Sequence, residues 1–433
     1  MAINEGRQRR WDGALLIGLV VLLGATTAHG KFRRGEMIPV ARLLKNINAF
    51  VIEHPKDPHG YYLLGRVHAL AFVNRSDKLR AFPANKAGEA LPRLDRTQRK
   101  NRKRGKWPEA TALGEHLRRA IVNYQEAIAR SPSSALYHNG MGYILSQGAL
   151  YGKGLLDPSP LKVPEGVVGE EAHKRFWYQR SMEHYLLAHS LSIEGDLGIG
   201  RLPLGGLGRM VSYESARAYI RLVGKLGASR GEERQVQEMK EHMALLEAKP
   251  PGPITPLVIP WGPSAGDVRT LGSLVEEEAC VRFDLDGDGQ SELWPWLSSE
   301  GAFLVWLPPG TSTVKSGRQL FGAYTFEMVW RDGFEPLGAL DDDRDGVLRG
   351  EELSGLALWR DLNGDGLSLA GELISVRDAG IISVRTAPEG KYAGVLQHSG
   401  GVLVEGEQRL PIFDWVPRPT PKELWASEVS ALE

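Results

Sequence analysis

Asp341, Asp343, Asp345 and Glu352 stand at positions 1, 3, 5 and 12 of one twelve-residue stretch, with Gly346 at position 6. Asp361, Asn363, Asp365 and Glu372, with Gly366, repeat the arrangement in a second such stretch. Every ligand-type side chain in the two sets offers oxygen. The spacing serves a calcium ion, which takes six to eight oxygens from short acids, one backbone carbonyl and a bidentate Glu. The carbonyl falls at position 7, on Val347 in the first loop and on Leu367 in the second. Glycine at position 6 permits the sharp turn that aims the first three side chains inward.

A third run, FDLDGDGQSELW, places Asp284, Asp286 and Asp288 at positions 1, 3 and 5, Gly289 at 6, the Gln290 carbonyl at 7 and Glu292 at 9. Position 12 is Pro295, so the bidentate Glu is missing and the run reads as a turn between strands. An Asp-Gly hairpin needs no ion. Three carboxylates crowded on one turn repel one another without a cation, and this favours calcium there too.

The elements that must carry these loops belong to a chain of 433 residues, long enough for two or three domains with their own cores. Formal net charge is zero, but residues 96–106 are densely basic and residues 331–372 are dominated by acids. The single cysteine, Cys280, rules out an internal disulfide or a Cys-based zinc site, and reads as a small apolar core residue. At the N-terminus, Arg7, Arg9 and Arg10 precede an apolar run of about eleven residues and then small residues, with Ala28 or Gly30 as cleavage points. The run is short of the ~20 residues that span a bilayer. Residues 1–30 are therefore expected to be a signal peptide, or failing cleavage an N-terminal membrane anchor. The rest is expected to work outside the cytoplasm, periplasmic or extracellular, where calcium is abundant.

Residues 31–249 show apolar spacings of three and four, the helical period. Ala120, Tyr124, Ala127 and Pro132 fit the second helix of a tetratricopeptide repeat, Tyr61, Leu64 and Gly65 fit a first helix, and Ser181, Tyr185 and Ala188 repeat the second-helix spacing. This half resembles a degenerate tetratricopeptide array, interrupted by insertions at residues 74–108 and 151–169. An irregular helical bundle is the alternative. Such stacks offer a face to peptides, so an unidentified protein or peptide partner is expected on the helical half. The basic insertion reads as a solvated loop; contact with an anionic polymer is its functional reading, and no nucleic-acid partner is expected of an exported protein.

Residues 250–266 are rich in Pro and Gly and are predicted to be a linker. Beyond it, residues 267–418 hold short alternating runs, among them CVRF, ELWPWL, AFLVWL, ISVR, GVLV and LPIF, predicted to be strands of a small antiparallel sheet; residues 419–433 form a tail. The fold class is α+β: a helical, tetratricopeptide-like array followed by a small sheet domain with EF-hand-type loops. The ordered series of motifs across residues 255–385 resembles the EF-hand-like calcium-binding domains of exported bacterial proteins, including those attached to haemolysin-type repeat proteins. That resemblance implies calcium at the three loops. It also marks two departures: the acids expected in PLVIPWGPSAGDV are missing, and Leu307 and Gln319 stand where Asp and Glu are expected. Residues 307–319 are therefore predicted to keep their turn without metal.

Only residues 353–360 separate the two main loops, enough for one shared helix rising about 12 Å at 1.5 Å per residue. Leu353, Leu356 and Trp359 are its predicted buried stripe. Calcium sensors open a Met-rich groove, yet Met328 is the sole methionine after residue 250, so the ions are expected to be structural. The leading expectation is a non-enzymatic, exported, calcium-stabilised binding protein. The alternatives are a cell-wall or glycan-active enzyme, or an adhesin, with an accessory calcium domain. No HExxH motif supports an enzyme. His54, His59 and His68 are read as surface or packing residues.

Overall fold

The computed structural model describes residues 37–80, 110–151, 163–193, 206–247, 255–285, 291–307, 313–369 and 371–417. The N-terminal segment, the basic stretch, the core of the third loop and the C-terminal tail lie outside the described residues. From Gly35 onward the chain forms one compact unit. A helical N-terminal half is followed by an antiparallel sheet domain, a mixed α+β architecture.

The helices are α1 (Val40–Glu53), α2 (Pro58–Asn74), α3 (Ala110–Arg130), α4 (Ala135–Tyr151), α5 (Glu170–Ile193), α6 (Gly206–Leu226) and α7 (Arg230–Glu247). Two strands, β1 (Met37–Pro39) and β2 (Lys78–Arg80), pair beside them. Asp57 caps α2, its carboxylate accepting from the His59 N–H at 2.9 Å, with Pro58 at the first helical position. Two helix pairs repeat one contact. A Cβ on Gly65 of α2 would sit 3.1 Å from the Tyr124 ring of α3, and one on Gly142 of α4 would sit 3.0 Å from the Tyr185 ring of α5. Small residues thus let a tyrosine lie flat against the neighbouring backbone. Ala120, Ala127 and Ala188, singled out by their spacing, are fully buried.

Histidines knit the same pairs. His68 Nδ1 lies 2.8 Å from His116 Nδ1 between α2 and α3, and His138 Nδ1 lies 2.9 Å from His184 Nδ1 between α4 and α5. His138 Nε2 also meets the Pro132 carbonyl at 2.8 Å. A carbonyl only accepts, so that contact places the His138 proton on Nε2 and leaves Nδ1 as the acceptor for His184.

In the C-terminal half, β3 (Leu257–Pro260), β6 (Gly301–Trp306), β7 (Val347–Arg349), β8 (Leu356–Trp359), β9 (Leu373–Ser375), β10 (Ile381–Arg385), β11 (Gly390–Tyr392), β12 (Val395–Val404) and β13 (Arg409–Asp414) form one sheet. Their order is β7-β10-β12-β13-β3-β6-β8-β9, with β11 paired to β12. A separate hairpin joins β4 (Val275–Phe283) to β5 (Glu292–Leu297). A one-turn helix, α8 (Glu335–Gly338), leads into the first loop. In this order β7 and β8 stand six strand spacings apart, roughly 29 Å in a flat sheet. The short connection between them reaches at most roughly 24 Å. The sheet must therefore curl so that its ends approach.

Two expectations are corrected. The predicted linker, residues 250–266, contains β3, which lies between β13 and β6 and is buried at all four positions. Its Leu-Val-Ile run is flanked by Pro256 and Pro260, and prolines at strand ends leave the ladder intact. The predicted shared helix between the loops is a 3-10 turn, Gly350–Leu353, followed by strand β8, which pairs with β6 and β9. Gly355 sits between them at φ 88°, and a Cβ there would meet the Trp306 ring at 2.8 Å. The LALW run is buried on both faces, a pattern whose periodicity does not separate strand from helix. Leu353, Leu356 and Trp359 are buried as predicted, on different elements.

One apolar core runs from the helices into the sheet domain. A second centres on Trp294, Trp296, Phe303 and Trp359 beneath the β4–β5 hairpin, with Trp296 edge-on to Trp359 at 5.8 Å.

Candidate metal centre

Loop 1, residues 341–352, begins as α8 ends and closes through β7. Asp341 is only 5% exposed; its Oδ1 accepts from the Arg344 N–H at 2.7 Å and its Oδ2 from the Gly346 N–H at 2.9 Å. The Asp343 carboxylate accepts from the Asp345 N–H at 3.1 Å, and the Asp345 carboxylate from the Val347 N–H at 2.8 Å. Glu352 folds back across the ring: Oε1 accepts from the Asp342 N–H at 2.6 Å and Oε2 from the Arg349 N–H at 3.0 Å. Asp341, Asp343 and Asp345 bring one oxygen each within 4.8 Å of one another.

Loop 2, residues 361–372, repeats this wiring. Asp361 Oδ1 accepts from Gly364 N–H at 2.9 Å and Oδ2 from Gly366 N–H at 2.8 Å. The Asp365 carboxylate accepts from Leu367 N–H at 2.7 Å. Glu372 reaches back to the N–H groups of Leu362 at 3.0 Å and Leu369 at 2.8 Å. The side-chain oxygen of Asn363 accepts from Asp365 N–H at 3.3 Å. Gly346 and Gly366 have φ of 80° and 72°, the left-handed conformation their position demands.

The donor set fits a hard cation. Each carboxylate oxygen held by a loop N–H keeps a second lone pair, all donors are oxygen, and loop 1 gathers four negative charges. Burial pushes the Asp341 carboxyl up, Glu352 and Asp343 add to that rise, and the Gly346 and Arg344 N–H groups oppose it. Burial likewise pushes Asp361 up, with Glu372 adding, against the Gly366 N–H and the Trp296 indole. Both groups sit where a positive charge would relieve them. In such a site Asp341, Asp343, Asp345, the Val347 carbonyl and Glu352 would hold one calcium; Asp361, Asn363, Asp365, the Leu367 carbonyl and Glu372 would hold another. An ion there supplies charge neutralisation and geometry.

The third loop is bracketed as its sequence suggests: Phe283 pairs with Glu292 at the turn end of the β4–β5 hairpin. Asp284 and Glu292 are described, whereas Asp286, Asp288 and Gln290 lie outside the described residues. The neighbouring turn, residues 313–319, is held by Gln319, whose amide accepts from Lys315 N–H at 2.6 Å and donates to the Thr313 carbonyl at 2.8 Å. The Asp284 carbonyl accepts from Gly317 N–H at 2.7 Å, and a Cβ on Gly317 would lie 1.7 Å from the Leu285 carbonyl oxygen. Glycine is obligatory there.

Several contributors carried no sequence signal. The Trp296 indole donates to Asp361 Oδ2 at 2.7 Å. Asp342, at the non-ligand position 2, is gripped by Arg42, Lys45 and Asn46 of α1. Arg344 adopts φ 64° where loop 2 has Gly364 at 68°, a conformation that costs a side chain about 1–2 kcal/mol.

Residues 271–404 match the SPM domain family. A stretch of 110 residues is 30% identical to the iron-regulated protein FrpA of Neisseria meningitidis serogroup C, covering 24% of this chain and 10% of that protein. The chain thus spans about a tenth of the length of that curated relative. The C-terminal half carries an SPM domain, and all three candidate loops fall inside it. Among the described residues, no helix is long and apolar enough to cross a membrane.

Proposed function

We propose that this is a non-enzymatic, exported calcium-binding protein whose ions are structural and whose helical half serves protein interaction. The carrying observation is the duplicated loop: in both, the position-1 Asp accepts from the position-4 and position-6 N–H groups and the position-12 Glu reaches the position-2 N–H. Two separate stretches share one hydrogen-bond wiring, and loop 1 also gathers three carboxylates, which supports EF-hand-type loops without paired EF-hand helices. Tightly bonded sheet neighbours around loop 2 argue for ions that brace rather than switch. The tetratricopeptide-like reading of the array is supported by the repeated Gly–Tyr contact between helix pairs.

A partner would have to share the array with the chain itself. Arg66 of α2 donates to the Glu327 carbonyl at 3.0 Å, and residues from α2, α3, α4 and α6 face Tyr324, Met328 and Val329 around a cavity of about 30 Å³. That space suits a water or two rather than a peptide. Calorimetric titration of chelator-treated protein with calcium tests the proposal. At least two ions per chain are expected, with one lost in Glu352→Gln and a different one in Glu372→Gln. Absence of binding heat across temperatures would sink it.

A further inference from the structure

Loop 1 is held from outside by a helix nearly three hundred residues away in sequence. Arg42 Nε donates to Asp342 Oδ1 at 2.9 Å and Arg42 Nη2 to the Leu340 carbonyl at 2.6 Å. Lys45 Nζ donates to the Asp342 carbonyl at 2.6 Å. The Asn46 amide donates to the Ala339 carbonyl at 3.0 Å and to Asp342 Oδ1 at 3.1 Å. At the other end of α1, Glu53 accepts from Arg344 at 2.7 Å. None of these partners is a ligand position: Ala339 and Leu340 lead into the loop, and Asp342 and Arg344 lie between ligands. Asp342 is the decisive residue, because its N–H is bonded to Glu352, the position-12 carboxylate.

The rest of this contact is poorly filled. An opening of about 250 Å³ lies beside loop 1, lined by Ile47, Phe50 and Leu63 from the helices and by Trp330, Gly338 and Ala339 from the sheet domain. A gap of that size forfeits the dispersion and burial that close packing would provide. Polar contacts therefore add to what the buried Leu43 and Ile47 contribute to the docking of α1. Arg331 ties down the turn that follows α1, bonded to Asp57, the cap of α2, at 2.8 Å. Arg344 is kept in the left-handed region at the position where loop 2 uses glycine, and it is Arg344 that reaches Glu53.

We propose that loop 1 is a calcium-dependent clasp: an ion on residues 341–352 holds α1 against the C-terminal domain, and its loss frees α1 while the sheet core persists. This rests on the calcium reading above. The ion fixes Glu352, Glu352 fixes the Asp342 backbone, and Asp342 presents its carboxylate and carbonyl to Arg42, Lys45 and Asn46. Without the ion, the mutual repulsion of Asp341, Asp343, Asp345 and Glu352 opens the ring, and the surface that α1 grips is lost. Loop 2 has no such role, because its outward bonds go to Trp296 and Val314 in the sheet domain.

Hydrogen exchange of the full chain, in calcium and in chelator at fixed pH and ionic strength, tests this. Chelation is expected to speed exchange across Val40–Glu53 at least tenfold while β12 and β13 change less. In calcium, Glu352→Gln should reproduce that loss and Glu372→Gln should not. Asp342→Ala should loosen α1 while calorimetry still counts the loop 1 ion. Calcium binding with no change in α1 protection overturns the clasp and leaves the calcium reading standing. Uniform loss of protection in all elements also overturns it. No binding heat at all overturns both.

Discussion

Loops 1 and 2 have nearly the same ligands and different surroundings. Both close on a buried position-1 Asp and a position-12 Glu. Loop 2 rests on the tryptophan core: Trp296 bonds its first ligand, and a Cβ on Gly366 would meet Val281 at 2.6 Å. Loop 1 has open space around Gly346 and is held by charged residues of α1. On the proposed calcium reading, one chemical device would do two jobs: an ion in loop 2 would add local rigidity to neighbours that aromatic packing already fixes, and an ion in loop 1 would hold α1 against the C-terminal domain.

Acid should break this contrast most strongly. His59, only 1% exposed, is held down to about 3 by burial and then by Arg331; His68 and His184 are held down to about 3 by burial and then by their partner histidines. The unfolded chain takes up these protons near pH 6.5 and the folded chain does not. Their contribution is thus fully present above about pH 6.5 and is lost as pH falls toward 3, at about 1.4 kcal/mol per pH unit for each group. All three lie in the helical half, His59 and His68 on α2 and His184 on α5. In chelator, lowering the pH from 7 to about 5 should lower the urea midpoint of the helical circular-dichroism signal more than that of tryptophan fluorescence. Equal shifts would erase the distinction between the halves.

A smaller effect isolates loop 2. Trp296→Phe keeps most of the ring packing and removes the donor to Asp361 Oδ2, a hydrogen bond to a buried charged group whose loss costs about 1–3 kcal/mol. Calcium affinity should fall at one site only, and α1 exchange should stay as in the wild type. A parallel loss at loop 1 would mean the two sites are coupled through the sheet.

Much of the fold was legible because it is written locally. The runs CVRF, ELWPWL, ISVR, GVLV and LPIF lie in strands, as does AFLVWL up to Trp306, and the alternation of helix-period residues marks the array. The two main loops were legible as turns, since the position-1, position-6 and position-12 residues that wire each one lie within one short stretch. What stayed hidden depends on distance. Nothing near Leu257–Pro260 says that its prolines bracket a central strand, and LALW reads equally as helix until β6 and β9 flank it. Asp342 looks like a spacer between ligands until α1 arrives beside it, and Trp296 looks like a packing residue until Asp361 is placed above it.

Thermal unfolding of the full chain in calcium and in chelator tests the central claim most directly. At calcium a hundredfold above the dissociation constant, each occupied site should add about 2.7 kcal/mol. The wild type should melt clearly higher in calcium, Glu352→Gln and Glu372→Gln should each lose part of that rise, and the double variant should lose all of the part due to loops 1 and 2. A wild-type melting temperature that is the same in calcium and in chelator would contradict the account.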